Sequence, residues 1–411
     1  MPRRLWALFD PRLPRKVWLL QLGVLVNFLG NGMVAPFLVI YLHFGRGLPV
    51  SLAASAVALG GVTAVASGLA AGSLADRVGP RYVLTVAMTC NAVAYLLYTQ
   101  VTVPWEAFAV GLLVGVGTGA YGPLTQSLIA SLVPAEDRQA AFAQNRVTSV
   151  VGLGAGGMIG GLIAASGLAG YLTLLRLDVV TFLAMAAVPL LLGPMPVPRR
   201  PASSGAYRGV LRDRAFVRLV GVNILMVSAG IAPMLVLLPA FAKTVVHAGE
   251  PAIGAIYAAN TLTIVLAQMP LTRLVASRNR MLVLRASALI WVASWAACLV
   301  AAGLLSGRAA VLGIGLGAIV YATGECLYSA IMLPTATVLA PDELRGRYLG
   351  AMALAWQAGF LIGPSLGGLV LAAAPLALPV ICAALCLGAA VGTVAVERSM
   401  ARRVEVTPVA A

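Results

Sequence analysis

Leu132-Val133-Pro134-Ala135-Glu136-Asp137-Arg138 returns 207 residues later as Leu339-Ala340-Pro341-Asp342-Glu343-Leu344-Arg345. The glycines that follow keep the same offset, so Gly152, Gly156, Gly160 and Gly161 recur as Gly359, Gly363, Gly367 and Gly368. Nearer the start of each half, Asn27 and Pro36 have counterparts in Asn223 and Pro233. A period of half the chain, kept across separate segments, is an internal duplication. The second half therefore reads as a copy of the first, and the fold as two similar bundles.

Composition says what kind of bundle. The chain has 411 residues, 61% hydrophobic and only 10% charged, with a mean hydropathy of +0.96. Soluble domains carry roughly 25% charged residues, so this is a membrane protein. The net charge of +15 would suit nucleic acid, but the basic residues punctuate apolar runs instead of gathering on one face, and no nucleic-acid partner is expected. Of the 28 basic residues only Lys16 and Lys243 are lysine, a bias that fits GC-rich coding and a bacterial source. Cys90, Cys298, Cys326, Cys382 and Cys386 all lie inside apolar runs, while His43 and His247 lie in loops. Neither a metal site, a cofactor nor a disulfide framework is expected from that spacing. Met1–Lys16 is basic, but the run after it is too long for a signal-peptide core, so it reads as an uncleaved first span.

Charge-free runs delimit twelve transmembrane helices, from Val17–Leu42 to Leu376–Val396. The long uncharged run near the end divides at Ala374–Pro375, because one span cannot use about 50 apolar residues. The domains are then an N-terminal six-helix bundle at 1–192, a linker at 193–215 and a C-terminal bundle at 216–411 with a short cytoplasmic tail. Gly193-Pro-Met-Pro-Val-Pro-Arg-Arg-Pro and Ser203-Ser204-Gly205 give the linker its composition. With the N-terminus inside, the inner segments hold 24 basic residues and the outer ones four: Arg46, Arg176, Lys243 and Arg308. That asymmetry puts both termini in the cytoplasm and the chain in the bacterial cell (inner) membrane. Duplicated halves of this kind are a transporter architecture, with the site expected near the bilayer midplane.

One residue stands out against that background. Glu325 is the sole charge between Arg308 and Asp342, each seventeen residues away. An acid at the helix centre costs about 2.5 kcal/mol or more on insertion scales, so it needs a purpose. Its helical neighbours are Tyr321, Tyr328 and Ser329, which set a carboxyl between two phenols. Such a group can trade a proton for a substrate cation, with aromatic faces holding the apolar body of that cation. The alternative is a protonated structural glutamate bonded to a neighbouring helix. At the repeat offset Tyr328 maps onto Tyr121 while Glu325 maps onto Thr118, so one half is specialised.

Other polar residues at membrane depth either join helices or line a cavity: Asn27 and Asn31 on one face of helix one, Asn223 on helix seven, and Tyr257, Asn260 and Thr261 on helix eight. Trp356 and Gln357 belong to an inner vestibule or to the interface. Asp178 and Arg176, two residues apart near the outer end of helix six, read first as an interfacial anchor and second as a gate or protonatable site. Arg146 either snorkels or faces the cavity. The glycine stripes, with Pro364, permit close helix approach and a kink.

Gly72-Ser-Leu-Ala-Asp76-Arg77-Val-Gly79-Pro-Arg81 resembles the signature loop of the major facilitator superfamily, and Gly359-Phe-Leu-Ile-Gly363-Pro364-Ser-Leu-Gly367-Gly368 is similar to its antiporter motif. The resemblance, nearest the drug/proton antiporter group, implies the major facilitator fold. It also implies that Asp76 closes an inner gate against the start of helix eleven, near Arg345 and Arg347. Two positions depart from the family pattern: Gly157 stands where helix five has proline, and Gly111 where helix four has arginine. The function implied is a proton-coupled exporter of lipophilic or amphipathic small molecules, monomeric, with protons and membrane lipids as its other partners. A metabolite symporter or a non-transporting sensor on the same fold is the alternative. No paired acidic cluster or His-containing constellation supports an enzyme, and no GxxxxGK[ST] loop supports an ATP-driven pump.

Overall fold

The computed structural model describes residues 14–134, 137–193, 210, 212–341 and 344–406; of residues 76, 139, 140, 345, 346 and 402–406 only the backbone is described. Residues 194–209 of the expected linker, and Ala135, Glu136, Asp342 and Glu343 of the repeated turn, lie outside the described residues.

Among the described residues every regular element is helical. The order is α1 Arg15–Val34, α2 Val50–Val78, α3 Pro80–Tyr98, α4 Pro104–Leu132, α5 Arg138–Ala164, α6 Leu168–Leu191 and α7 Arg214–Met226. It continues with α8 Glu250–Val275, α9 Arg280–Leu304, α10 Gly307–Leu339, α11 Arg345–Ala373 and α12 Ala377–Val406. Several begin earlier than the charge-free runs suggest, because arginines such as Arg138, Arg214 and Arg280 sit inside the first turn. By length and composition eleven helical spans among the described residues are long and apolar enough to cross a membrane. The twelfth expected span, α3, is 19 residues long. At 1.5 Å per residue it reaches about 28 Å, but Arg81, Asn91 and its tyrosines dilute its apolar character.

The chain divides into two compact units, Met1–Pro201 with Gly249–Thr261 and Ala202–Ala248 with Leu262–Ala411. In unit 1, α1 packs on α5 and α6, and α3 on α4 and α6. In unit 2, α7 packs on α11 and α12, and α9 on α10 and α12. The duplication visible in the sequence is thus a duplication of packing partners.

Glycine decides two of those contacts. A methyl group on Gly156 would overlap Leu29 O and stand 2.9 Å from Gly32 Cα; on Gly152 it would lie 2.8 Å from Leu25 O, and on Gly160 2.5 Å from Met33 O. The stripe therefore lays α5 directly on the backbone of α1. A methyl on Gly161 would stand 3.0 Å from Gly254 Cα, within unit 1. On α11, a methyl on Gly359 would stand 2.5 Å from Val227 Cβ, and on Gly363 or Gly367 it would overlap Ser228 O or Leu237. Pro364 and Gly368 are buried in the same helix.

Proline breaks the matching helix of each unit. The chain leaves α1 at Val34, turns past Pro36 and resumes as Leu38–Ile40 and a wide turn at Tyr41–Gly45. After α7 a wide turn at Val227–Ile231 leads into Ala232–Val236, which contains Pro233. A proline has no N–H for the carbonyl four residues back. For Pro233 that carbonyl is Ala229 O, and the indole of Trp295 on α9 donates to it at 2.9 Å. Both groups are fully buried.

The signature stretch is more helical than a loop. Gly72 to Val78 finish α2, and the turn is Gly79 alone, at φ 93°, with Pro80 opening α3. Only glycine adopts that backbone without strain, and proline suits the first helical position. Arg77 and Gly72 are exposed, and the Arg81 guanidinium lies 4.3 Å over the Tyr82 ring. The Asp76 side chain and that of Arg345 lie outside the described residues.

Two stability outcomes follow. Gly156→Ala forces α1 and α5 apart and is expected to cost about 1–3 kcal/mol, lowering the melting temperature in detergent. Gly122→Ala, with nothing within 4 Å of the new methyl, is expected to leave it unchanged. Trp295→Phe keeps the ring but strands Ala229 O, and is expected to cost about 1–3 kcal/mol in the same assay.

Candidate functional site

Glu325 is the nineteenth of the 33 residues of α10, half-buried, and within electrostatic reach of the Tyr328 hydroxyl. Around it unit 2 gathers most of the residues the sequence singles out. The Tyr328 hydroxyl donates to Asn223 Oδ1 of α7 at 2.5 Å, joining the two helices. Its ring lies 5.6 Å from that of Trp291 and 6.3 Å from that of Trp356, which in turn lies 5.5 Å from Phe360. On the α8 side, the Ser329 hydroxyl donates to Gln268 Oε1 at 3.1 Å. The Gln268 amide donates to Cys326 O at 3.3 Å and to Thr272 Oγ1 at 3.1 Å. The carboxyl therefore belongs to a helix flanked by an aromatic row and by a hydroxyl–amide pair.

Tyr321 lies deeper than Tyr328. Its exposure is 0%, and its ring stacks on Trp291 at 5.4 Å with 17° between planes. The Trp291 indole also donates to Tyr321 O at 3.1 Å. Tyr321 belongs to the core between α9 and α10, because Trp291 claims its ring face. Of the two expected phenols, Tyr328 is the one that bonds across to α7.

In unit 1 the other named residues form a second polar group. Asn27 is buried, and the Asn31 amide donates back to Asn27 O at 2.9 Å. Tyr121 stands beside Asn27 and Thr125, and Phe28 meets its ring edge-on at 5.8 Å. Neither the Tyr121 hydroxyl nor Asn27 Oδ1 completes a hydrogen bond within the protein. Asn27 with Tyr121 in unit 1 thus matches Asn223 with Tyr328 in unit 2, open in the first and closed in the second. Tyr257 packs on Gly157 and Thr261 on Gly154 within unit 1, with Asn260 half-buried between them in sequence.

Three residues carry more than the sequence reading gave them. Gln268 and Trp291 engage the neighbours of Glu325 on α10, and the signal for the first is an amide in an apolar stretch of α8. Asp178 is the third: it is fully buried, while Arg176 is exposed on another face of α6. The interfacial-anchor reading of Asp178 fails because α6 starts at Leu168, which sets the acid ten residues inside the helix. Among the described residues no group of three or more His, Cys, Asp or Glu could hold a metal ion.

The sequence profile of the Major Facilitator Superfamily matches residues 20–323. The chain belongs to the Major Facilitator Superfamily. A Na(+), Li(+), K(+)/H(+) antiporter of Planococcus maritimus is 24% identical over 377 residues, covering 81% of this chain and 84% of its own. The multidrug resistance protein MdtG of Salmonella arizonae is 28% identical over 156 residues, 37% of this chain and 39% of its own. Among solved structures, a mutant form of the nucleoside transporter NupG superposes with a TM-score of 0.79 at 15% identity, covering 93% of this chain and 99% of NupG. The protein is accordingly a multi-pass membrane transporter of the Major Facilitator Superfamily and not an enzyme.

In this transporter Tyr328→Phe is expected to cost about 1–3 kcal/mol by leaving Asn223 Oδ1 buried and unpaired. Asn223→Ala in the Tyr328→Phe background is expected to add less than it does in wild type. Thermal melts of the four proteins of this cycle check it; strict additivity would mean that the bond contributes nothing.

Proposed function

We propose that this transporter is a proton-coupled exporter of lipophilic or amphipathic small molecules, with Glu325 as the group that carries the proton. The observation that carries the reading is the Glu325 carboxyl halfway along α10, the sole acid of that helix, half-buried and within reach of Tyr328, whose ring meets that of Trp356. When ionised it attracts a cationic or polarised substrate, whose apolar body the rings of Tyr328 and Trp356 hold. A proton arriving from outside neutralises the carboxyl and releases the substrate. The proton then leaves to the cytoplasm, and the site is charged again. Each cycle moves one carboxyl between protonated and substrate-bound forms, which is coupling by competition.

The 24 basic residues on inner segments support a topology with both termini in the cytoplasm of a bacterial inner membrane. The antiporter and multidrug names of distant relatives agree with export. The chain works as a monomer among membrane lipids, and Asp76, Arg77 and Arg81 with the turn at Gly79 form its inner gate. Asn27, Asn31, Tyr121, Asn223, Tyr257 and Asn260 supply polar groups to the substrate path.

Proteoliposomes with an imposed pH gradient test the coupling role. Wild-type protein is expected to accumulate a fluorescent lipophilic cation against its gradient, and Glu325→Gln to lose that accumulation while still exchanging the dye downhill. Uphill transport by the variant would remove Glu325 from the coupling step. Sodium or potassium is the second cargo in the same vesicles, because the Planococcus relative is named for these ions. Proton flux driven by them and not by the dye would move the substrate class to inorganic cations.

A further inference from the structure

The second acid of this transporter lies in the other unit. Asp178 is the eleventh residue of α6, which places it about 15 Å along the helix and near the middle of a hydrocarbon core of about 30 Å. Its side chain is 0% exposed. The Thr181 hydroxyl lies 2.6 Å from Oδ1, and the same hydroxyl is 2.9 Å from the backbone oxygen of Asp178. Oδ2 makes no hydrogen bond in the protein.

The helices packed against α6 are α1, α3 and α5, with the wide turn Tyr41–Gly45 at the outer end. From α1 the residue that faces the acid is Gly30, where any Cβ would overlap both Asp178 Oδ1 and Thr181 Oγ1. From α3 it is Tyr95, within electrostatic reach of Asp178 and 4.9 Å from the Phe182 ring. Arg15 and Lys16 begin α1, about 20 Å of helix away from Gly30. Arg138 and Arg146 are exposed on α5, and Arg81 lies over Tyr82 on α3. At the outer end, Arg46 is engaged by the Tyr41 hydroxyl and Thr99 O, while His43 bonds Leu48 O and Tyr171 bonds Glu250. Arg176 on α6 itself is exposed. Among the described residues no cation faces this carboxyl.

An ionised carboxylate needs several donors or a nearby cation to offset its lost hydration, and here one hydroxyl is at hand. A neutral acid needs fewer partners: protonated at Oδ1 it can donate to the Thr181 hydroxyl, which in turn donates to the backbone oxygen of Asp178. The surroundings continue the polar character. Asn91 Oδ1, one turn before Tyr95 on α3, has no protein partner and faces Gly117 of α4. Tyr121, one turn beyond Gly117, and its neighbours Thr125 and Asn27 also carry unbonded polar atoms. Buried polar atoms without protein partners mark places where water or a migrating proton is bonded in turn.

We propose that Asp178 is a proton-binding site of unit 1, reached along the seam of Asn91, Asn27, Tyr121 and Thr125. Each unit then carries a protonatable acid near the middle of a spanning helix, Asp178 on α6 in the first and Glu325 on α10 in the second. The use of that proton in transport rests on the coupling reading above; the binding site itself does not.

Infrared difference spectroscopy of the full-length protein in lipid nanodiscs, stepped in pH without substrate, tests the site. The carbonyl band of a protonated carboxyl is expected in wild type and in Glu325→Gln, and expected to lose one component in Asp178→Asn. An unchanged band in Asp178→Asn, or a band lost only in Glu325→Gln, would overturn the proposal. If Asp178→Asn does not fold, Thr181→Val serves, since it keeps the volume and removes the hydroxyl. The Asp178 component is then expected to shift to higher frequency, and a band that stays in place would overturn the assignment. Uphill transport by Glu325→Gln in the flux assay with this band intact would count against the coupling role of Glu325 alone.

Discussion

Hydrocarbon offers no hydrogen bonds, so a polar atom inside this bundle is costly unless it finds a partner in the protein or in a water-lined cavity. The seam between α9 and α10 shows how strictly that holds. Ser287, Trp291 and Ser294 donate to Gly324 O, Tyr321 O and Gly317 O at 2.7, 3.1 and 2.8 Å. Donors four and then three residues apart meet acceptors at the mirrored spacing, as two antiparallel helices require. Trp295, one residue further, closes the carbonyl that Pro233 leaves open in the segment after α7. A single face of α9 thus secures α10 on one side and repairs a proline break on the other. Glu325 is carried by the helix so secured, next to Gly324, and its position along the membrane is set by bonds that do not involve it.

Unit 1 meets the same constraint by other means. Its α2 and α4 come close enough for Thr63 to donate to Leu112 O at 2.6 Å and Ser67 to Gly115 O at 3.2 Å. The face shared by α1, α3, α4 and α6 is different, since Asn27, Asn91, Tyr121, Thr125 and Asp178 all keep a polar atom without a protein partner there. The two units therefore share a framework and not a chemistry. The Asn–Tyr pair is the clearest case: bonded at 2.5 Å between α7 and α10, adjacent but unbonded between α1 and α4.

The repeat, the spans and the glycine stripes were legible because each is a pattern along the chain with a fixed physical period. Gly156 and Gly363 could be named as contact points before any partner was known, since close backbone approach leaves no other residue possible. Which way a side chain faces was less legible. Tyr321 and Tyr328 flank Glu325 on both sides in sequence and both meet Trp291, yet Tyr321 stacks flat on it while Tyr328 also reaches Asn223 and Trp356. Nothing on α10 itself encodes that choice. Asp178 reads in sequence as lying near the outer end of helix six, whereas α6 begins ten residues before it at Leu168 and α1 presents Gly30 to the acid. The signature stretch was read as a loop from its charges, but charged residues close a cytoplasmic helix end as readily as they fill a loop, and only Gly79 leaves the helical conformation.

Access separates the two acids. At Gly30 even a methyl group would collide with Asp178 Oδ1, so the space around that carboxyl admits nothing as large as an organic substrate. Glu325 is half-buried, as are the amphipathic side chains of Ser329, Gln268 and Trp356, while Tyr328 is buried. A carboxyl confined to the size of a proton and one flanked by rings and an amide cannot have interchangeable ligands. Competition between proton and substrate is open only to the second. The first can only record whether a proton is present, and Thr181 on its own helix and Gly30 on α1 are the groups that would feel the change. That difference in space, more than any difference in residue type, divides the chemistry between two halves built to one plan.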